Sequence, residues 1–133
     1  MPADIERRVS PDLFPPPGYS HAVVSGPGST VWTAGGVPLD ADGALVGAGD
    51  VRVQAAQVLA NLTAALAVGG AAPSDVVRTT VFVVTTDRAD LGAVWEVVQA
   101  SPYAPAASTL LGVALLGYAG QLVEIEATAV FGA

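Results

Sequence analysis

The chain has no cysteine, a single histidine and five lysines plus arginines among its 133 residues. Without cysteine there is no disulfide, no thiolate nucleophile and no cysteine-ligated metal. One histidine excludes the multi-histidine sets that hold catalytic zinc, so no metal site is expected. The net charge is −7, and the only adjacent basic pair, Arg7 and Arg8, falls in an N-terminal segment expected to be loose. Phosphate recognition needs clustered cations, so nucleic acid is not an expected partner. Charged residues of both signs make up only 13% of the chain, against 52% hydrophobic. A lone domain of this size needs a better-charged surface to stay dispersed, so part of the surface is expected to meet another subunit. No apolar run reads as long enough to span a membrane, and the opening residues are polar and proline-rich rather than a signal core. A cytoplasmic protein with no membrane partner is the expectation.

The length suits one domain. Residues 1–18 end in Phe14-Pro-Pro-Pro-Gly18 and read as an extended, proline-rich arm; residues 19–133 read as the domain. Tyr19 to Ser25 and Thr30 to Ala34 read as strands joined at Gly26-Pro-Gly-Ser29, hence as a hairpin. Gly35-Gly36 follows, where backbone can approach a ligand or another chain closely. Asp50 can cap a helix over about 51–68, in which Val51, Ala55, Val58, Leu59, Leu62 and Leu66 recur at helical spacing. Gly69-Gly70 stops it. The run VVRTTVFVV within 75–85 is rich in β-branched residues and apolar on both faces, hence a central strand. A second helix is expected over about 88–99, with Leu91, Val94, Trp95 and Val98 on one face. The order is β-β-α-β-α-β-β, an α+β sheet with both helices on one face and the other face free for water or a partner.

Pro105 to Phe131 holds the closing pair of extended runs. From Gln121 the alternation is strict: Val123, Ile125, Ala127, Ala129 and Phe131 fall on one face, and Glu124, Glu126 and Thr128 on the other. Carboxylates side by side on a late strand are either solvated or line a pocket. Glu124 is the stronger candidate for proton or water handling, and Glu126 reads as structural. His21 could transfer protons near neutral pH, although a bland strand-start role fits it as well. Trp95 lies on a helix stripe and reads both as core and as a ligand wall. No base is placed to activate Ser108 or Thr109 as a nucleophile, so acyl chemistry is not expected.

These residues, taken together, resemble a known family. GYSHAV at 18–23, TAGGVPLD at 33–40, VVRTTVFV at 76–83, and PAAS followed by VEIEA at 105–127 are similar, in order, to the Rid/YjgF superfamily of reactive intermediate deaminases, also known as L-PSP endoribonucleases. The resemblance covers nearly everything after Gly18. It implies a chorismate-mutase-like subunit, a homotrimer whose sheets form a central barrel, small-molecule ligands in clefts between subunits, and no cofactor. It also implies hydrolysis of imines or enamines, with an arginine of a PARS motif holding the substrate carboxylate and the first glutamate of an IEIEA motif activating water.

Carried onto this chain, the resemblance makes Glu124 the water-handling glutamate and gives Tyr19 a place at the site; Glu124, Tyr19 and His21 are the catalytic candidates, with His21 put forward on its chemistry and not by the resemblance. The resemblance puts Ala34, Gly35, Gly36, Trp95 and Ala107 at the substrate, and Ser108 and Thr109, which follow Ala107 on its strand, are expected there too. Several positions depart from the pattern. Ala107 stands where the arginine belongs, Ala34 replaces a serine, Gly36 a glutamine, and Trp95 an asparagine. Alanine offers neither charge nor donors. The expected enzyme is therefore a diverged member acting on a less anionic substrate than 2-aminoacrylate, and the rival is a ligand-binding trimer without chemistry.

Overall fold

In the computed structural model, which describes residues 2–132, nine-residue strands form the centre and short ones the periphery. The order is β1 (Ile5–Arg8), β2 (Ala22–Ser25), β3 (Ser29–Trp32), α1 (Val51–Val68), a 3-10 turn at Pro73–Asp75, β4 (Val76–Val84), α2 (Arg88–Gln99), β5 (Ala107–Val113) and β6 (Val123–Phe131). The expected α+β order is present, preceded by one further strand. The main sheet runs β3-β6-β4-β5, with β4 parallel to β5 and the other pairs antiparallel.

One expectation about pairing and one about the N-terminal arm are corrected. The runs at 19–25 and 30–34 do not form a hairpin: β2 pairs antiparallel with β1, and β3 pairs with β6. Nine-residue β6 satisfies the β3 edge over a full register, which leaves β2 free for the arm. Arg7 and Arg8 are accordingly in a strand, not a loose lead-in. Likewise β5 and β6, neighbours in sequence, are separated by β4.

Both helices pack on one face. Ala55, Val58, Leu62 and Leu66 of α1 and Val94 and Val98 of α2 meet Val81 and Val83 of β4 and Val123, Ile125, Ala127 and Ala129 of β6. Asp50 caps α1, accepting from Arg52 N and Val53 N at 3.0 and 3.1 Å. With 18 residues and a mean hydropathy of 1.3, α1 is in fact long and apolar enough to cross a membrane. Its apolar stripe is instead the heart of the core. Gln54, fully buried on the same helix, donates to Gly47 O and Gly120 O and accepts from Leu122 N at 2.7 Å. Burying an amide is tolerated because every one of these groups is paired.

Tyr103 is 2% exposed, and its hydroxyl lies 2.8 Å from the Thr63 hydroxyl. Burial pushes the phenol above its usual pKa, and the Thr63 hydrogen bond only partly opposes this. A phenol in the unfolded chain ionises at pH ~10. Between that point and the raised folded value the folded state holds more protons, so stability falls as pH rises. The contribution is complete below the unfolded pKa and lost as pH climbs through the folded one. Urea midpoints measured from pH 8 upward should therefore decline less steeply above pH ~10 for Tyr103→Phe than for the native chain. Equal slopes would show that the buried phenol carries none of the alkaline sensitivity.

Candidate functional site

The sequence-expected residues fall into two groups within one subunit. At the β5 edge, Tyr19, Trp95 and Ser108 line a cavity of about 250 Å³ together with Pro17 and Leu110. Tyr19 and Trp95 meet edge to face, with ring centroids 6.0 Å apart, a geometry worth ~0.5–1.5 kcal/mol beyond area burial. The Trp95 indole N–H donates to Pro17 O at 2.7 Å. Trp95 thus serves both readings at once: it is 9% exposed and belongs to the core, yet it also walls the cavity. Ser108 and Leu110 share a face by strand alternation. The Ser108 hydroxyl accepts from Thr79 Oγ1 at 2.8 Å. Tyr19 is brought to this edge because Ser20 bridges to Ala107, with Ser20 N donating to Ala106 O at 3.3 Å.

The second group surrounds Glu124. Its half-buried carboxylate accepts from Gln121 Nε2 at 3.1 Å. Gln121 is itself 3% exposed and also donates to Val123 O. Gly35 lies against the same carboxylate: a Cβ built there would stand 2.5 Å from Glu124 Oε2 and 2.7 Å from its Cγ. Gly36 fixes the approach through reciprocal backbone hydrogen bonds with Ile125, of 2.7 and 3.3 Å. Ala34 is exposed beside them. Because the clash reaches from the carboxylate back to Glu124 Cγ, Gly35→Ala should turn the whole Glu124 side chain away and lower stability. A crystal structure of that variant with Glu124 in its native rotamer would refute this.

The remaining candidates divide between faces. Thr109 shares the helix-free face with Ala107 and accepts from Arg78 Nη2 at 3.2 Å, opposite in direction to Ser108. Ala107 is the cross-strand partner of Arg78, which is the partner of Thr128 on β6. Arg78, Thr80, Glu126 and Trp32 line a cleft of about 250 Å³ on that face. Among the described residues the ion pairs are Arg8–Glu6 and Arg52–Glu96, so Arg78 is not paired to a carboxylate within the subunit. Both ring nitrogens of His21 engage the N-terminal arm: Nδ1 accepts from Ser10 N at 2.9 Å, and Nε2 lies 3.1 Å from Phe14 O. No cluster of groups able to hold a metal occurs among the described residues.

The register separates the two groups. Ala107 is level with Thr128, four residues along β6 from Glu124 and two strands across. That places their Cα atoms roughly 16 Å apart at standard strand spacings. Sequence reasoning missed Gln121, Pro17 and Leu110. The i, i+2 relation of Leu110 to Ser108 could have shown it, whereas nothing in the local pattern marks the other two.

Comparisons with known proteins agree with this architecture. The family model described as endoribonuclease L-PSP matches residues 12–131. Protein DfrA of Myxococcus xanthus is 40% identical over 113 residues, 84% of either chain. Among solved structures, the conserved Rid-family protein YyfB from Yersinia pestis, of unknown function, superposes with a TM-score of 0.88 at 40% identity, covering 96% of this chain and 98% of that one. The YjgF gene product of E. coli superposes with a TM-score of 0.66 at 28% identity, covering 93% and 92%.

Proposed function

Because the chain belongs to the endoribonuclease L-PSP family, which takes in the Rid and YjgF proteins, we propose that it is a diverged RidA-like enzyme acting on a small imine, enamine or related unsaturated metabolite, with Glu124 handling water or protons. The observation that carries this reading is the placement of the Glu124 carboxylate against the Gly35 backbone, held from one side by Gln121 alone. Gln121 fixes Oε1, while Oε2, lying against Gly35, accepts no hydrogen bond among the described residues and is the oxygen assigned to water or substrate. Tyr19, Trp95 and Ser108 contribute the ligand wall. His21 spends its ring nitrogens on the arm, so proton handling is assigned to Glu124. A cytoplasmic location and freedom from cofactors go with this reading.

The working unit is a homotrimer. The roughly 16 Å between Ala107 and Glu124 is closed if one copy supplies the β5 edge and its neighbour supplies Glu124 and Gly35. The sparse charge of the surface points the same way. Ala107 removes the guanidinium that would hold a carboxylate, a contact worth ~1.5–3 kcal/mol, so turnover of 2-aminoacrylate should be at least ~10-fold below that of an arginine-bearing relative. The nuclease chemistry of the family name is disfavoured by the net charge of −7.

The test is a coupled assay that generates imines in solution and follows ketone formation, run beside sedimentation at low micromolar concentration. Trimers that hydrolyse a neutral imine, with Ala107→Arg shifting preference towards carboxylate-bearing ones, are expected. A stable monomer, or equal activity of the native chain and the Ala107→Arg variant on 2-aminoacrylate, would overturn the proposal. The second reading, a ligand-binding trimer without turnover, draws on the loss of the cation at Ala107. It predicts that Glu124→Gln changes nothing measurable.

A further inference from the structure

We propose that residues 10–17 form a strap across the Tyr19–Trp95 cavity and that His21 is its latch, a positioning residue that controls access. This rests on taking that cavity as the ligand site. The arc between Arg8 and Tyr19 is tethered at both ends, by β1 on β2 upstream and by the Ser20 bridge to Ala107 downstream. Apolar burial does not hold it down, because Leu13 is 55% and Phe14 88% exposed. Side chains of the domain hold it by hydrogen bonds instead. His21 Nδ1 accepts the Ser10 amide, His21 Nε2 donates to Phe14 O, and the Trp95 indole donates to Pro17 O.

That arrangement has the parts of a movable cover. His21 grips the arc at two points four residues apart, as the neutral tautomer protonated at Nε2. Pro15 to Pro17 are stiffened by their rings and move together. Gly18, with φ at +93°, supplies the pivot that other residues adopt reluctantly. Pro17 is part of the cavity wall, so displacement of the strap removes that wall and frees the indole N–H for a ligand acceptor. The ligand class that gains is a small, largely apolar molecule with one carbonyl, imine or similar acceptor, able to replace Pro17 O at Trp95.

The probe is acrylamide, a small neutral quencher, used on the full chain carrying Trp32→Phe so that emission reports Trp95 alone of the two tryptophans. Losing both hydrogen bonds should raise the open population by roughly tenfold or more. His21→Ala should therefore raise quenching of Trp95 severalfold and speed amide exchange at residues 10–17 by about tenfold, with exchange in β4 and β6 unchanged. His21→Gln, which retains one acceptor and one donor, should restore protection. Ser10→Pro, which deletes the latched N–H but leaves the bond to Phe14 O, should loosen the strap in the same direction by less than His21→Ala, and adding it to His21→Ala should change little. Unchanged quenching in both single variants, or loosening spread evenly through the chain, would overturn the strap. The readout uses no substrate. An opened strap in a protein that turns over no imine would therefore sink the functional reading alone, whereas native-like quenching in an active enzyme would sink the latch alone.

Discussion

Replacing Glu124 by glutamine is expected to lower turnover by roughly 10²–10⁴, the usual contribution of a positioned acid or base, with the fold retained. Glutamine has the same shape, and its carbonyl can still accept from Gln121 Nε2, which now sits 3.1 Å from Glu124 Oε1. It cannot take a proton from water or deliver one to an enamine carbon. The packing around position 124 consists of Gly35 on one side and Phe82 directly opposite on β4, neither of which depends on charge. Unfolding midpoint and sedimentation should therefore match the native protein while the coupled assay falls towards background. Retention of more than about a tenth of native kcat/KM would remove Glu124 from the chemistry, given that a single general acid or base is worth at least ~10².

The largest expected loss of stability comes from the neighbouring residue. Ile125 is fully buried on β6, between β3 and β4, against the stripe of α1. Ile125→Ala deletes buried methyl groups and leaves a void that rigid strands on both sides cannot close, so a cost of ~2–5 kcal/mol is expected. That is a large share of the ~5–15 kcal/mol holding a typical domain together. Val68→Ala, at a side chain 92% exposed at the end of α1, should stay within ~0.5 kcal/mol. Urea titration of the three proteins separates these outcomes; a cost below ~1 kcal/mol at Ile125 would mean that the core relaxes around it. Because Gly36 is bonded to the Ile125 backbone on both its N–H and its C=O, loosening at this residue should also relax the Gly35–Glu124 contact.

Much of the site was legible because its residues lie in strongly patterned elements. The alternation of β6 put Glu124 on the face away from the helices, and the structure keeps it there, with Val123 and Ile125 buried on the other side. The stripe of α1 and its Asp50 cap were equally plain. Gln54 was not, because an amide inside an apolar stripe looks like an interruption until its partners, Gly47, Gly120 and Leu122, converge on it from distant loops. From its type alone, His21 reads as a proton carrier or as a bland strand-start residue. Its hydrogen bonds run to Ser10 and Phe14, in an arm whose course over the domain no local pattern encodes.

By itself, the sequence determined the element order after the arm, the Asp50 cap, the alternation of β6 and the absence of cysteine and clustered base. These follow from period, backbone preference and composition, which are local or additive properties. Only the tertiary structure decided that β4 stands between β5 and β6, that β2 joins the arm and not β3, and that Trp95 reaches Tyr19 while Ala107 is kept far from Glu124. Those outcomes depend on which long-range pairings bury the most apolar surface and satisfy the most backbone at once. That competition is settled across the whole chain and leaves no mark in any single stretch of it.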